Sequence, residues 1–415
     1  MRLGPVLAAC ALAAVSLPAL AQSISPLEPP DTSRYLKWGP IRIRPGLQIP
    51  NFGYDSNVFY RPDDSTLPQV GDYFIAIAPR AEGLVLFGRR AFLTFDERLE
   101  FYVYAQQHDV NYFNQLGRMR LTIPFRRIGL YADLGYDRIR DRPIDAQDAR
   151  PIRKEIPTGG GFVFKAGWRT DGEIGITRSR FTGEDPDDPC VAGTGCLTIG
   201  QRIDRVESGS RLRLRYLAFG RARVLLDASR RTIVFDDPAV QRDGKERRVL
   251  PGLDFGLGGR VFGTLHVGWA DFDLDKPTAT DFRGTVADVA LGYRFGGSGS
   301  YVTLTGTRDV RYSVLESTDL YTYTGADAMF VKYFNRFLGM ELGGGRGTLD
   351  FLGDPTGRRD DVLTGSAGIR FRISENDLGR RVEYAFRYVN TKRNSTDDSL
   401  DQTRGTVGFG VSFGY

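Results

Sequence analysis

The sequence has 415 residues, of which 50 are glycine, and aromatic residues make up 12 % of it. This composition favours a β protein with many turns over a helical or disordered chain. Beyond the first 21 residues, no run of about 18 or more apolar residues could form a transmembrane helix. The formal charge of only +5 gives no reason to expect nucleic-acid binding.

The N-terminus predicts secretion. Residues 1–21 combine a basic start, an apolar stretch and the Ala19-Leu20-Ala21 cleavage pattern of a signal peptide. Lipidation at Cys10 is the less favoured alternative, because only nine residues precede it. Residues 22–40 are then a short, proline-rich periplasmic lead, too short for a plug domain, and 41–415 are the main domain.

The mature chain alternates apolar and polar residues with a period of two, which is the pattern of β-strands with two unlike faces. For example, Arg211, Arg213 and Arg215 alternate with Leu212 and Leu214. In residues 91–104 the same alternation has one exception, Glu97. No segment of the mature chain predicts a helix.

Short and long connections alternate along the chain, eight short and nine long, which predicts 18 strands. Aromatic residues precede most short turns, as in the interfacial girdle of a membrane barrel: Phe87, Phe125, Trp168, Phe219, Phe295 and Phe334. A soluble sandwich or propeller would not require this arrangement. We therefore predict an all-β, transmembrane antiparallel barrel with short periplasmic turns and long extracellular loops.

The C-terminal strand supports this prediction. Phe409, Val411, Phe413 and Tyr415 alternate with small residues, and the chain stops on an aromatic. This pattern resembles the signal that outer-membrane barrels present to their assembly machinery. We expect that machinery and the outer-membrane lipid to be partners of the chain.

A barrel of 18 strands is wide enough for an aqueous channel. Strand parity places candidate lumen-lining arginines on inward faces: Arg118, Arg120, Arg211, Arg213, Arg215, Arg370 and Arg372. Fewer acids fall on the same faces, which predicts a moderately basic lumen favouring anionic solutes. Alternatively, these polar residues only hydrate the bore and pair with one another. The connections 140–157 and 183–200 are candidates to fold inward.

Two cysteines remain after the leader, Cys190 and Cys196, in a loop rich in glycine, proline and aspartate. In an oxidising compartment this spacing favours a disulfide over a metal site, because no histidine lies nearby. The aspartate pairs of several long loops suit turns. A second interpretation is that they bridge divalent cations to the lipid surface.

Nothing in the sequence predicts an enzyme. Of the two histidines, His108 lies in a loop without a nucleophile partner, and His266 falls on an inward strand face. The glycine-rich stretches do not precede a helix, so they offer no phosphate-binding N-terminus. We therefore predict no catalytic residue, no metal site and no cofactor.

The first strand carries a more specific pattern: Pro45-Gly46, Gly53-Tyr54-Asp55-Ser56-Asn57-Val58-Phe59, Asp72-Tyr73 and Ala78-Pro79. It resembles the opening of the putative β-barrel porin 2 family. The resemblance implies an outer-membrane barrel of a Gram-negative bacterium. It also implies exopolysaccharide secretion, because many members accompany genes for that process, and a periplasmic polysaccharide-export component as a partner.

Within this motif, Tyr54, Asp55, Ser56 and Asn57 are expected to end the first strand near the outer rim. We expect Asp55 and Asn57 to hydrogen-bond the turn, and Tyr54 and Phe59 to join the outer aromatic belt. A sugar-binding role is the alternative.

Three functional hypotheses result. The first is an exit pore for a secreted exopolysaccharide. The second is a general or anion-preferring diffusion porin for small solutes. The third is a surface adhesin or scaffold whose bore is closed.

Overall fold

The computed structural model describes residues 27–33, 35–88, 90–140, 151–184, 197–220, 222–257, 259–296, 299–313, 315, 318–375 and 381–414. The expected signal peptide, the Cys190–Cys196 pair and Tyr415 lie outside these residues. The described chain is almost entirely β-strand, as the period of two predicts.

A three-residue strand, β1, precedes eighteen longer ones, and all nineteen belong to one sheet. The strands are β1 Leu36–Trp38, β2 Ile41–Asp55, β3 Asp72–Phe87, β4 Ala91–Tyr104, β5 Tyr112–Pro124, β6 Ile128–Arg140, β7 Ile152–Ala166, β8 Thr170–Glu184, β9 Arg205–Phe219, β10 Ala222–Phe235, β11 Gly244–Leu257, β12 Val261–Leu274, β13 Phe282–Phe295, β14 Ser300–Tyr312, β15 Leu320–Tyr333, β16 Leu338–Leu352, β17 Arg359–Glu375, β18 Arg381–Ser395 and β19 Gln402–Gly414.

Each strand from β2 to β19 pairs antiparallel with its neighbours in sequence, and β19 returns to pair with β2. At this seam Phe52 lies opposite Phe409 and Leu47 opposite Phe413, with an irregularity between Phe409 and Val411. The sheet is therefore a closed barrel of eighteen strands, which confirms the predicted fold class. Closure leaves no free edge, so neighbouring strands satisfy one another's backbone hydrogen bonds.

The two faces of the strands differ as the alternation predicts. Large apolar side chains such as Val224, Val249 and Leu265 are exposed on the outer surface. Five of the six aromatics predicted beside the short turns are also exposed there: Phe87, Phe125, Trp168, Phe219 and Phe334. Phe295 instead stacks between Tyr293 and Phe330. The outer surface thus has the apolar band and aromatic girdle of a barrel in lipid.

One carboxylate lies among these outward residues. Glu97, the exception in the alternation of β4, faces outward and accepts a hydrogen bond from the Gln115 amide of β5 at 2.7 Å. Gly117 leaves the space for this pairing, since a Cβ there would lie 2.5 Å from a Glu97 carboxylate oxygen. The polar pair satisfies part of the hydrogen-bonding capacity that lipid cannot satisfy.

The expectation that the mature chain has no helix is wrong. Helix α1 spans Ile199–Ile203 in the connection between β8 and β9. Thr198 caps it by accepting a hydrogen bond from the Gln201 backbone, and the Gln201 side chain accepts one from the Thr198 backbone. This capping box is visible in the sequence as Thr198-x-x-Gln201, but the helix is too short for any apolar period. No described helix is long and apolar enough to cross a membrane.

The predicted connection 140–157 is also shorter than expected, because β7 already begins at Ile152. Residues 152–157 pair with the end of β8, from Glu184 back to Ser179. The polar residues at the end of the β7–β8 hairpin resemble a loop in composition. They form strands because each strand of the hairpin supplies the other with backbone hydrogen-bond partners.

The N-terminal lead runs across the end of the barrel that carries the short turns. Leu27 is buried against Val163 of β7, where Gly129 of β6 leaves room for it. At the other end of the segment, Tyr35 donates a hydrogen bond to Glu82 at 3.3 Å. Burial raises the pKa of Tyr35, so the hydroxyl stays protonated and keeps donating. The lead therefore covers part of this opening.

Because β2 and β19 lie close together at the seam, the stability of the barrel should depend on the size of the side chain at Gly53. A Cβ at Gly53 would lie 1.9 Å from the Val407 carbonyl oxygen, whereas one at Gly46 meets only ordinary contact at 3.7 Å. Gly53→Ala should therefore lower the free energy of unfolding by about 1–3 kcal/mol, measured by urea titration of the barrel in lipid vesicles. Gly46→Ala, on the same strand, is the control and should be neutral or slightly stabilising. Equal stability of the two variants would contradict this description of the seam.

Candidate functional site

The lumen carries charged side chains from most strands, and these side chains form ion pairs. On β9 and β10, Asp227 accepts hydrogen bonds from both Arg211 and Arg213, with Nε of Arg211 2.9 Å from one oxygen and Nη2 of Arg213 2.9 Å from the other. Arg215 pairs with Asp171 of β8. The structure thus places all three predicted arginines of β9 on the inward face and gives each a carboxylate partner.

The predicted arginines of β5 also face inward. Arg118 pairs with the buried Asp137. The Arg120 guanidinium lies 2.6 Å from Asp133 and 3.2 Å from Glu173, and 4.3 Å above the Tyr131 ring. These contacts tie β5, β6 and β8 together along the lumen wall.

A third network joins β16, β17 and β18. Glu341 is 2 % exposed and accepts hydrogen bonds from both Arg370 and Arg387. Arg370 also donates to Glu383 at 2.8 Å, and the Arg372 guanidinium lies over the Tyr333 ring at 4.1 Å, with Glu383 at 4.0 Å. One buried carboxylate therefore holds two guanidinium groups against the wall.

The prediction of a moderately basic lumen underestimates the number of carboxylates that pair with the inward arginines. Six carboxylates on inward strand faces pair with inward arginines: Glu82, Asp171, Glu173, Glu207, Glu246 and Asp309. Arg231, for example, lies between Glu207 and Glu246. These six carboxylates have the same inward strand parity as the arginines, and they could have been predicted from that parity alone. The interior is a set of charge networks, which weakens the argument for anion preference.

Connections at the long-loop end fold into the bore. Ile199 and Ile203 of α1 pack with Phe181 of β8, and the same apolar cluster includes Tyr321 and Phe351 on β15 and β16, nearly half-way around the barrel. The described part of the connection 183–200, one of the two candidates for an inward loop, thus reaches across the lumen.

A second pair of connections is joined beside α1. Arg242 of the connection 236–243 lies 2.9 Å from Asp319 and donates to the Ser313 carbonyl at 2.6 Å. Both partners belong to the connection 313–319, and an apolar cluster that includes Val240 and Leu320 lies beside them. Helix α1 and these two connections therefore narrow the bore along the wall formed by β8–β17.

Opposite these connections, a groove runs along the wall formed by β18, β19 and β2–β5. Its cavity volume is about 100 Å³. One side carries four aromatic rings: Phe74, Tyr102, Tyr104 and Tyr112. The other side carries Arg387 and Arg404, with Asn51, Thr391 and Thr406 also lining it. We call this feature the tyrosine groove.

The aromatic side of the tyrosine groove is a continuous row. Tyr102 and Tyr112 stack with centroids 4.3 Å apart, and Phe74 and Tyr104 lie 5.5 Å apart. Val58 and Val110, from the connections that follow β2 and β4, cover the outer end of the row. Small residues such as Gly408 and Gly410 form the floor and keep the groove open.

The chain matches one protein family over residues 36–414, described as putative beta-barrel porin 2. The chain belongs to this family. Membership confirms the resemblance seen in the first strand, and the described part of the porin-like barrel corresponds almost entirely to the matched region. No curated protein matches the sequence.

Two solved structures are similar to this chain. The outer membrane protein OpdK from Pseudomonas aeruginosa shares 10 % identity, covering 92 % of this chain and 99 % of its own, with a TM-score of 0.48. A BenF-like porin from Pseudomonas fluorescens Pf-5 shares 10 % identity over 91 % and 99 %, with a TM-score of 0.50. At this identity the likeness concerns the fold.

The motif that carries the family resemblance forms a turn at the outer rim. Asp55 is fully buried, pairs with Arg404 and accepts from the Asn57 backbone at 3.1 Å. Asn57 exchanges hydrogen bonds with the Arg61 backbone. The hydroxyl of Ser56 accepts from the Gly405 backbone at 2.8 Å, which ties the turn to β19. These contacts are the turn-forming ones expected of Asp55 and Asn57.

The two aromatic residues of the motif differ in position. Tyr54 faces outward and contacts Tyr73 edge-on at 5.2 Å, as an outer belt residue would. Phe59 instead packs against the buried cluster around Val58 and Phe74 inside the mouth. The expected belt position of Phe59 is wrong, because the connection after β2 turns into the lumen.

Of the predicted C-terminal signal, Phe409 and Phe413 are exposed on the outer face. Phe409 stacks with Tyr384 of β18 at 5.6 Å. Val411 is buried beside the irregularity of the β2–β19 seam. Recognition of this strand by the assembly machinery stays a prediction.

The histidines and the aspartate-rich loops form no evident metal centre: no group of three or more metal-ligating side chains occurs in the described residues. His266 is buried on the inward face, its Nε2 3.5 Å from Asp254. Asp63 accepts from the backbone and hydroxyl of Thr403 at 2.8 and 2.9 Å, which joins the connection after β2 to the start of β19. Cation bridging by these loops stays a prediction.

The charge networks predict unequal costs for removing carboxylates from β16 and β17. Glu341→Gln leaves Arg370 and Arg387 without their shared buried partner and should cost about 3–5 kcal/mol of stability in urea titrations. Asp361→Asn is the control. It disrupts an ion pair on the outer face, in which the Arg346 side chain is 64 % exposed. It should cost no more than about 1 kcal/mol. An equal loss of stability in both variants would contradict a structural role for the lumen network.

Proposed function

We propose that this porin-like barrel is an outer-membrane channel through which a secreted polysaccharide leaves the cell. Membership of a β-barrel porin family and the closed eighteen-stranded barrel support a channel. The observation that favours a saccharide is the tyrosine groove. Its row of rings lies opposite a side rich in hydrogen-bond donors.

Saccharides are unusual in combining apolar C–H faces with a dense rim of hydroxyl groups. The half-buried rings of Tyr102 and Tyr112 offer a surface for the C–H faces, and arginine, asparagine and threonine groups offer partners for the hydroxyls. The groove also lies on the part of the wall opposite α1, so an extended chain could follow it past α1 as far as Val58 and Val110, which cover its outer end. Association with a periplasmic export component at the short-turn end is part of this proposal.

A diffusion porin for small solutes is the second candidate. It is favoured by the inward connections, which narrow the bore in front of β8–β17, and by the paired lumen charges, which give a hydrated wall without a strong field. The two candidates differ in whether a polymer occupies the channel.

The test is single-channel recording of the refolded full chain in a planar bilayer, with dextran and oligogalacturonate fragments of about six sugars as neutral and acidic probes. The export pore should conduct steadily and be blocked by at least one fragment. Tyr102→Ala/Tyr112→Ala should weaken that block about tenfold, because two ring contacts are lost.

Tyr293→Ala is the matched control, because it removes an outward-facing ring and should leave the block unchanged. Open current that is indifferent to both fragments would favour the diffusion porin. Absence of current would contradict both channels and favour the surface adhesin or scaffold.

A further inference from the structure

The outer surface of β8–β11 carries an unusual group of arginines towards the long-loop end. Arg230 of β10 and Arg247 of β11 lie directly opposite each other in the antiparallel register. On its other side Arg230 lies opposite Ser210 of β9, and Arg178 of β8 lies opposite Ser208. All three arginines are exposed. We call Arg178, Arg230 and Arg247 the outer arginine cluster.

No carboxylate forms an ion pair with the outer arginine cluster in the described part of the chain: Asp271 of β12 lies directly opposite Arg247, but it is engaged by Arg283. Two outward arginines on other strands do form such pairs: Arg283 lies 3.0 Å from Asp271, and Arg346 lies 3.0 Å from Asp361. Like charges placed directly opposite on one face of a sheet are destabilising. The Arg230–Arg247 pair is therefore a site whose repulsion a bound anion would relieve.

The shape of the cluster suits an anion with several oxygens. Between Arg178 and Arg230, the outward residues of β9 are Ser208 and Ser210, both short and exposed. The long arginine side chains thus border a shallow notch with two hydroxyl groups on its floor. Guanidinium groups donate several hydrogen bonds in a planar fork that matches phosphate oxygens.

The cluster lies at the upper border of the apolar band. The outward residues one step below Arg230 and Arg247 are Ala228 and Val249, and Trp269 lies opposite Val249 on β12. From Val261 at the short-turn end of β12 to Trp269, a tilted strand rises roughly 20–25 Å. That is about the height of the apolar band of a membrane barrel. With short turns on the periplasmic side, the cluster lies among the headgroups of the outer leaflet.

We propose that Arg178, Arg230 and Arg247, with Ser208 and Ser210, bind the phosphate groups of a phosphorylated lipid headgroup in the outer leaflet. This binding anchors the β8–β11 wall at a fixed depth. It uses the outer surface of the barrel and does not depend on what passes through the lumen.

The experiment measures binding of bisphosphorylated lipid A to the full-length barrel in detergent micelles by native mass spectrometry. The same lipid lacking its phosphates is the comparison, and heat-dependent gel migration verifies that each variant is folded. Arg230→Gln/Arg247→Gln should weaken binding about tenfold or more. Arg230→Lys/Arg247→Lys keeps the charge without the fork and should give a smaller loss.

Arg346→Gln is the matched control, since it removes an outward arginine that already has a partner, and it should bind like the parent. Equal binding of the dephosphorylated lipid, or an unchanged affinity of the folded Gln double variant, would overturn the proposal. Full displacement of the lipid by millimolar inorganic phosphate would also overturn it, because the site would then be one for free anions.

Discussion

The hydrogen-bonding demand of the backbone in lipid is the constraint on which the rest of this structure depends. Every peptide group inside the membrane must find its partner within the protein, and a sheet achieves this only by closing. Here closure is the pairing of β19 with β2, which fits because Gly53 lets the two backbones approach and Gly408 leaves room for the Asn51 side chain. The closed sheet then fixes an inner and an outer face for every residue of every strand.

The division of every strand into an inner and an outer face explains how one chain can carry both an apolar surface and many charged side chains. The outward residues form a band that lipid covers, whereas the inward arginines and carboxylates meet across neighbouring strands. Asp227 serves two arginines and Glu341 serves two more. Sharing of this kind keeps the lumen hydrated and leaves few isolated charges to desolvate. It also stiffens the wall from which the inward connections and the tyrosine groove are built.

The sequence was sufficient for whatever depends on local alternation. Strand number, closure and the inward position of Arg118, Arg211 and Arg370 all follow from a period of two and the spacing of turns. The same parity also contained Glu207, Glu246 and Arg231, which lies between them. A complete count of inward charges of both signs would have predicted the paired lumen.

Other features depend on contacts between residues distant in sequence, and alternation carries no information about them. The reach of α1 across the bore brings Ile199 and Phe351, 152 positions apart, into one apolar cluster. The inward position of Phe59 depends on Phe74 and Tyr104. The tyrosine groove likewise joins strands from both ends of the chain, which become neighbours only when the barrel closes.

Cysteine accessibility along β9 tests the central claim most directly, namely that alternate faces of the strands line a hydrated lumen and contact lipid. In a chain whose Cys190 and Cys196 are serine, single cysteines at positions 211 to 215 would be reacted with a water-soluble thiol reagent in lipid vesicles. The structure predicts fast reaction at 211, 213 and 215 and reaction at least about tenfold slower at 212 and 214. Uniform reactivity, or the opposite alternation, would contradict the barrel and its lumen as described.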